Sequence, residues 1–299
     1  MEGGGNMQKY HITRRDLLQG SAVAAAAAAF CSVGEAATKA SSTTKLPTIK
    51  LGKLSVSRLI LGSNPFFGFS HQSQELDEEM RRYHTSERIK MVLDQAADHG
   101  INAVAAPPYE HWIKLFQEYI KSGGKLRIWI AQPDSPPEQM KDAIAAAAKG
   151  GAKAIFIQGA RVDEQFESAN RLKLIGEWLE YIKSFGLPAG MASHRPDVHL
   201  EAEKAGLPTD FYFQCFFRPD TYKLEDREKA VEAIRQIKKP VVGYKILAAG
   251  RIPPAEGFEY ALSHLRPKDG VCVGMYLKQK PDMIAENASL VARLSKQAR

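Results

Sequence analysis

The residues most able to do chemistry stand at the ends of apolar runs. Residues 240–251 read PVVGYKILAAGR: a largely apolar stretch leads into Lys245, then small residues (Ala248, Ala249, Gly250) precede Pro253 and Pro254. Buried parallel strands are near-continuous apolar runs, and in a closed β/α barrel their carboxyl ends floor the active site. Lys245 therefore stands where chemistry is expected. Three roles are open to it: a phosphate clamp for cofactor or substrate, a general base or Schiff-base amine if burial lowers its pKa, or a structural partner for Glu110 or Asp134.

Other polar residues sit at comparable points. Asn64, Gln132, Gln158 and Gln214 are neutral amides at or near the ends of further apolar runs. Amides both donate and accept, so a ring of them over an apolar floor suits a polyhydroxylated ligand such as a sugar; the alternative is that single amides satisfy loop backbone. His194 is either an acid–base group with an ordinary pKa of ~6.5 or a core-edge histidine bonded to a loop. Phe66, Phe67 and Phe69 form a wall or lid over an organic ligand, or else pack under a long loop.

Two chemistries find little support. His71, His111, His194 and Glu110 show no metal spacing such as H-x-x-x-H, and adjacent Glu110 and His111 point opposite ways in an extended segment, so no metal is expected. No G-x-S-x-G is present, and Ser193 beside His194 lacks a third triad member, which argues against nucleophilic hydrolysis.

The elements that must position these groups repeat one grammar. Strands are expected at 57–61, 103–106, 127–131, 154–157, 188–192, 211–217, 240–244 and 270–275. Helices follow them, including one capped by Ser86, one opening at Pro136 and Pro137, a long one at 163–185, and others at 223–239 and 278–296; residues 66–85 read as irregular. Eight strand–helix units in about 250 residues fit a (β/α)8 barrel. A doubly wound open sheet is the other candidate, but it needs a glycine-rich phosphate loop, and no G-x-G-x-x-G occurs.

At 299 residues, 44% hydrophobic and 25% charged, the chain suits one large α/β domain. Thr13-Arg14-Arg15-Asp16-Leu17-Leu18, the alanine-rich run 22–30 and a small-residue site at 34–37 resemble a twin-arginine signal. The apolar run is too short to span a bilayer. The expected organisation is a signal peptide at 1–37, a Ser/Thr/Lys linker at 38–47 and a barrel at 48–299, with delivery to the periplasm or exterior. The formal charge of +7 remains after residues 1–36 are set aside. Its lysines are interleaved with acids on helices, which reads as solvated faces, so nucleic acid is not an expected partner. Beyond Cys31, only Cys215 and Cys272 remain, both within expected strands, and no disulfide framework follows.

A set of ordered matches then resembles the aldo-keto reductases: LGKLSVSRLILG at 51–62, Gly100-Ile101-Asn102, residues 190–193, Gln214, Gly243-Tyr244, Val273-Gly274 and Glu286-Asn287. The likeness spans roughly 48–292. It implies a nicotinamide cofactor, NADP or NAD, across the barrel mouth, with Gln214 and Tyr244 holding and stacking its ring and Glu286 and Asn287 at the adenine end. Lys278 and Lys280 would stand in for the family's arginine at a 2′-phosphate. Of the family's catalytic Asp, Tyr, Lys and His, only Tyr109 is kept, one residue short in spacing; the other positions read Ala105, Gln132 and Gln158. A phenol with pKa ~10 needs a neighbouring cation to act as an acid at neutral pH.

The expected function is an exported oxidoreductase acting on a carbonyl or sugar substrate with a tightly held nicotinamide, Tyr109, His194 and Lys245 being the catalytic candidates. The alternative is a non-redox, carbohydrate-directed lyase, isomerase, hydrolase or binding protein.

Overall fold

The computed structural model describes residues 45–168 and 170–297; the signal and nearly all of the linker lie outside the described residues. The first elements, β1 (Thr48–Leu51) and β2 (Leu54–Ser57), form an antiparallel hairpin. Eight short apolar runs follow as parallel strands: β3 (Leu59–Gly62), β4 (Ala103–Ala106), β5 (Ile128–Ala131), β6 (Ala154–Ile157), β7 (Ala189–Ser193), β8 (Phe211–Cys215), β9 (Val241–Tyr244) and β10 (Gly270–Gly274). They pair in chain order, and β10 closes on β3 to complete the barrel.

Alternation along each strand divides the apolar residues between two compartments. Ile60, Ala105, Ile130, Phe156, Phe213 and Val242 fill the barrel interior, where Phe156 and Phe213 stack with ring centroids 4.0 Å apart. Leu61, Val104, Trp129, Ile157, Tyr212 and Val241 face the helix layer. Trp129 places its indole N–H on the Ala106 carbonyl, 2.9 Å away, so this large buried ring leaves no donor unsatisfied.

The hairpin stoppers the amino end. Ile49, Leu51 and Val56 join the interior cluster, and a Cβ at Gly270 would lie 2.7 Å from the Ile49 side chain. Buried Arg58, just after the hairpin, donates to the carbonyls of Asp269 and Arg266 at 3.0 and 3.2 Å. One end of the barrel is sealed, which leaves the carboxyl end for ligands.

The helices are α1 (Asn64–Phe67), α2 (Gln74–Tyr83), α3 (Ser86–Asp98), α4 (Glu110–Lys121), α5 (Met140–Lys149), α6 (Gly159–Phe166), α7 (Arg171–Ser184), α8 (Pro196–Lys204), α9 (Leu224–Gln236), α10 (Pro254–His264) and α11 (Met283–Gln297). Three expectations are corrected. The stretch expected to be irregular contains α2, whose QELDEEMRRY sequence carries only a thin apolar stripe, Leu76, Met80 and Tyr83; Ser73 starts it by accepting from the Leu76 N–H at 3.2 Å. Helix α3 is capped by Thr85, not Ser86. The long helix expected at 163–185 is two, α6 and α7; near the break the Ser168 hydroxyl donates to the Gln165 carbonyl instead of leaving the backbone to continue.

Candidate active site at the barrel mouth

Helix α6 starts directly after β6, so its first turn lies over the mouth. The Gln158 side chain accepts from the Arg161 N–H and caps the helix. This start sets Asp163 against the end of β7, where its carboxylate takes three hydrogen bonds: Ser193 Oγ, the His194 N–H at 3.1 Å and His194 Nδ1 at 2.9 Å. Because the carboxylate accepts, Nδ1 carries the proton and Nε2 presents a lone pair. Among the described residues nothing bonds to His194 Nε2. Asp163 thus fixes the orientation of the imidazole, and Ser193 is bound to the acid instead of the histidine. The Asp163–His194 link was not visible in the sequence, because a helix read as starting at Asp163 puts that residue at a helix end. The visible signal was Gln158-Gly159, a cap placed immediately after a strand.

Tyr244 ends β9 and closes the interior from above. Its hydroxyl donates to the Ser193 carbonyl at 3.1 Å, and its ring lies 5.9 Å from that of His194. Gly159 is required beneath them, since a Cβ there would sit 2.9 Å from the Tyr244 hydroxyl.

Lys245 directly follows Tyr244 at the end of β9. Its backbone is left-handed (φ 54°), as are Ala248 (47°) and Ala249 (55°). Each such non-glycine residue costs on the order of 1–2 kcal/mol, and the strain holds the lysine at the rim. Its ammonium donates to His71 Nε2 at 3.0 Å, while Arg251 donates to the His71 carbonyl at 3.1 Å and stacks on Tyr222. Burial, with Lys245 beside it, lowers the pKa of His71 to about 4, so the ring is neutral and accepts. Lys245 is itself lowered by burial and by Arg251. The structural role sketched for Lys245 fails: Glu110 pairs with Lys114, and Asp134 is bound by Tyr109.

Tyr109 donates to Asp134 Oδ2 at 2.6 Å, and burial together with that carboxylate raises its pKa. The cation a tyrosine acid needs is replaced by an anion, which corrects the expectation of proton donation by Tyr109. Of the four amides, Asn64 bonds His71 at 3.4 Å and Gln158 caps α6. Half-buried Gln132 makes no side-chain bond among the described residues. Phe67 packs edge-on to Tyr109 and His111, with Phe69 beside it, so the aromatic residues do line the rim. Phe66 instead stacks on Trp112 in the core. The four candidate metal residues do not gather: His71 lies by Lys245, His111 by Phe67, His194 by Asp163 and Glu110 by Lys114.

Gln214 is a further correction. Inward positions on β8 are Phe211 and Phe213, so alternation turns Gln214 into the helix layer, where it bonds His199 Nδ1 at 2.7 Å and the Cys215 carbonyl at 2.9 Å. His199 is fully buried, its Nε2 lacks a hydrogen-bond partner, and its ring lies 4.7 Å from that of Tyr212. Burial lowers its pKa to about 4, partly opposed by Gln214 and the charges of Asp163, Asp197 and Glu203. The unfolded histidine titrates near ~6.5. Between those values the unfolded chain binds more protons, so this group removes stability as pH falls and has no effect above ~7. Urea midpoints at about pH 7 and about pH 5 test the sign: His199→Gln should lose less stability on acidification than the wild type, and equal losses would contradict the assignment.

The family's cofactor residues can be compared with these positions. Tyr244 is at the mouth, but Gln214 faces away from it. Lys278 is paired with Glu79 at 3.1 Å and Lys280 with Glu286 at 2.5 Å, while Asn287 is buried with its amide nitrogen unpartnered. Taken together these residues do not fit a nicotinamide held in the family's manner. Cys215 and Cys272 are free thiols, both pushed up to about 12 by burial, and neither is a nucleophile at neutral pH.

The fold is an aldo-keto reductase-like (β/α)8 barrel exposing a polar cluster at its carboxyl end. A provisional aldo-keto reductase from Pseudomonas aeruginosa superposes with a TM-score of 0.58 at 18% identity, over 83% of this chain and 95% of its own. A glycerol dehydrogenase from Gluconobacter oxydans gives 0.55 at 11% identity, over 84% and 94%. At such identities the likeness is one of fold. Residues 11–30 match the family model for the twin-arginine translocation pathway signal sequence, which supports export by that route. No helix among the described residues is long and apolar enough to cross a membrane. No curated protein matches the sequence.

Proposed function

We propose that the chain is an exported barrel enzyme that moves protons on a small, hydroxylated carbonyl compound, a lyase or isomerase of sugar-like molecules. The observation that carries this reading is the Asp163–His194 pair, with Nδ1 fixed at 2.9 Å from the carboxylate and Nε2 without a hydrogen-bond partner among the described residues. Nε2 takes a proton from carbon next to the carbonyl, the electron pair moves onto the carbonyl oxygen, and the imidazolium is held by Asp163. The imidazolium, whose proton exchanges with solvent before it is returned, then protonates a neighbouring atom or assists departure of a hydroxyl as water. The Lys245 ammonium supplies positive potential beside His71, and Gln132 offers both donor and acceptor to hydroxyls. The rim aromatics Phe67 and Phe69 give such a molecule an apolar face to rest on.

A second reading is reduction of a carbonyl or sugar with tightly held NADP or NAD. Tyr244 at the mouth and the fold likeness favour it; the positions of Gln214, Lys278 and Lys280 weigh against it. In either reading the mature barrel spans 48–299, acts in the periplasm or outside the cell, and takes a small molecule and not nucleic acid.

Solvent exchange decides between the two. Ketoses and aldoses incubated with the protein in deuterated water should lose the proton beside the carbonyl, without added nicotinamide. NADPH oxidation with a carbonyl compound and no such exchange would overturn the first reading.

A further inference from the structure

Positive charge around the mouth is compensated nearly everywhere. Arg161 is paired with Glu164, Arg195 with Asp197, Arg218 with Asp220, Lys278 with Glu79 and Lys280 with Glu286. Lys245 and Arg251 are the exceptions. Lys245 has a neutral imidazole as its hydrogen-bond partner, and Arg251 donates to the carbonyls of Ala248 and His71 while its face rests on Tyr222. Both touch one residue, His71, Lys245 at its ring and Arg251 at its carbonyl; both lower the proton affinity of that ring, and Arg251 lowers that of Lys245.

Two cations held together, one of them half-buried, repel each other, and no carboxylate among the described residues pairs with either. The backbone that places them is strained at Lys245, Ala248 and Ala249, and strain of this kind persists where the surroundings over-determine it, commonly at ligand sites. Gln72 fastens the arrangement by donating to the Ala249 carbonyl at 2.7 Å, tying the segment after α1 to the turn after β9. A planar guanidinium beside a point-charge ammonium is a donor set matched to an oxyanion.

We propose that the mouth takes an anionic substrate, whose carboxylate or phosphate group seats between Lys245 and Arg251 at the His71 rim while its hydroxylated, carbonyl-bearing part extends toward His194. This deepens the acid–base reading and rests on it for the second half of the sentence only. It also gives Lys245 an anion-holding role in place of the Schiff-base amine.

Calorimetric titration of the exported protein with D-gluconate, D-glucose 6-phosphate and D-glucose tests the seat, since the three share a hydroxylated chain and differ in charge. At least one of the two anions should bind tenfold or more tighter than glucose, and whichever anion does so names the carboxylate or the phosphate as the group. That preference should fall at least tenfold in Lys245→Met and in Arg251→Met, and Lys245→Arg should restore part of it. Equal binding of glucose, absence of binding by both anions at millimolar concentration, or an unchanged preference in both Met variants would each overturn the seat. So would a borohydride-trapped adduct of a carbonyl compound on Lys245. His194→Gln should leave anion binding intact. If proton exchange fails while the charge preference holds, the catalytic reading is lost and the anion seat stands.

Discussion

His194→Gln lowers exchange of the substrate proton by about 10²–10⁴-fold, the usual contribution of a positioned general base, while the melting temperature stays close to that of the wild type. Glutamine keeps the size of the ring and can still bond Asp163, but it has no titrating nitrogen to offer at the mouth. Asp163→Asn separates the two jobs of the pair. The asparagine amide can donate where the carboxylate accepted, so it favours the tautomer with the Nδ1 lone pair inward and leaves Nε2 protonated. The rate then falls although the histidine is present, and the pH profile loses its dependence on an oriented imidazole. Three hydrogen bonds converge on Asp163 from Ser193 and His194, so this variant also loosens the end of β7. Asp163→Glu, which keeps the charge and shifts its position, controls for that. Full activity in His194→Gln would dismiss the pair as structural.

Phe213→Ala has the largest expected effect on stability, about 3–5 kcal/mol, the range for truncating a buried aromatic ring. Its ring stacks face to face on Phe156 and lies within 6.5 Å of Tyr244, so it fills the interior layer directly below the mouth. Small interior neighbours such as Ala105 and Ala192 cannot move to close the gap, because their strands are pinned by the ladders on both sides. Chemical denaturation measures the loss. A penalty below about 1 kcal/mol would mean that the interior repacks, against the rigid layering this fold implies. Because the cavity lies under Tyr244, the variant should also weaken ligand binding at sites well clear of position 213.

The barrel was legible from sequence because a parallel barrel writes its strands as uninterrupted apolar runs, and runs such as AVAA, AIFI and VVGY appear unchanged as β4, β6 and β9. The hairpin and α2 were not legible for opposite reasons. The hairpin lies beside the first barrel strand and merges with it by composition, whereas the apolar stripe of α2 is only Leu76, Met80 and Tyr83, too thin to stand out among its charged residues. The same limit affected the site. Lys245, His194 and Tyr244 could be read because they end strands, which fixes their height in the barrel. Gln214 could not be aimed, because a shift of one residue along β8 reverses its face. Asp163, Asp134 and His71 come from segments between strands, and their convergence depends on where α6 begins and how the turn after β9 folds back.

The hairpin that closes the amino end has a bearing on how the chain is made. Its seat is built from residues far along the chain: Gly270 under Ile49, Pro188 and Asp210 beside Gly52, and Asp269 holding Arg58. Contacts of such long sequence separation form late. The earliest described segment to leave the ribosome is therefore among the last to dock, and it docks only against a barrel whose final strand is in place. A chain stopped short of β10 would present Ile49, Leu51 and Val56 to solvent as an unburied apolar patch. Seating of the hairpin thus reports completion of the barrel, a property suited to a protein whose export route carries cargo already folded.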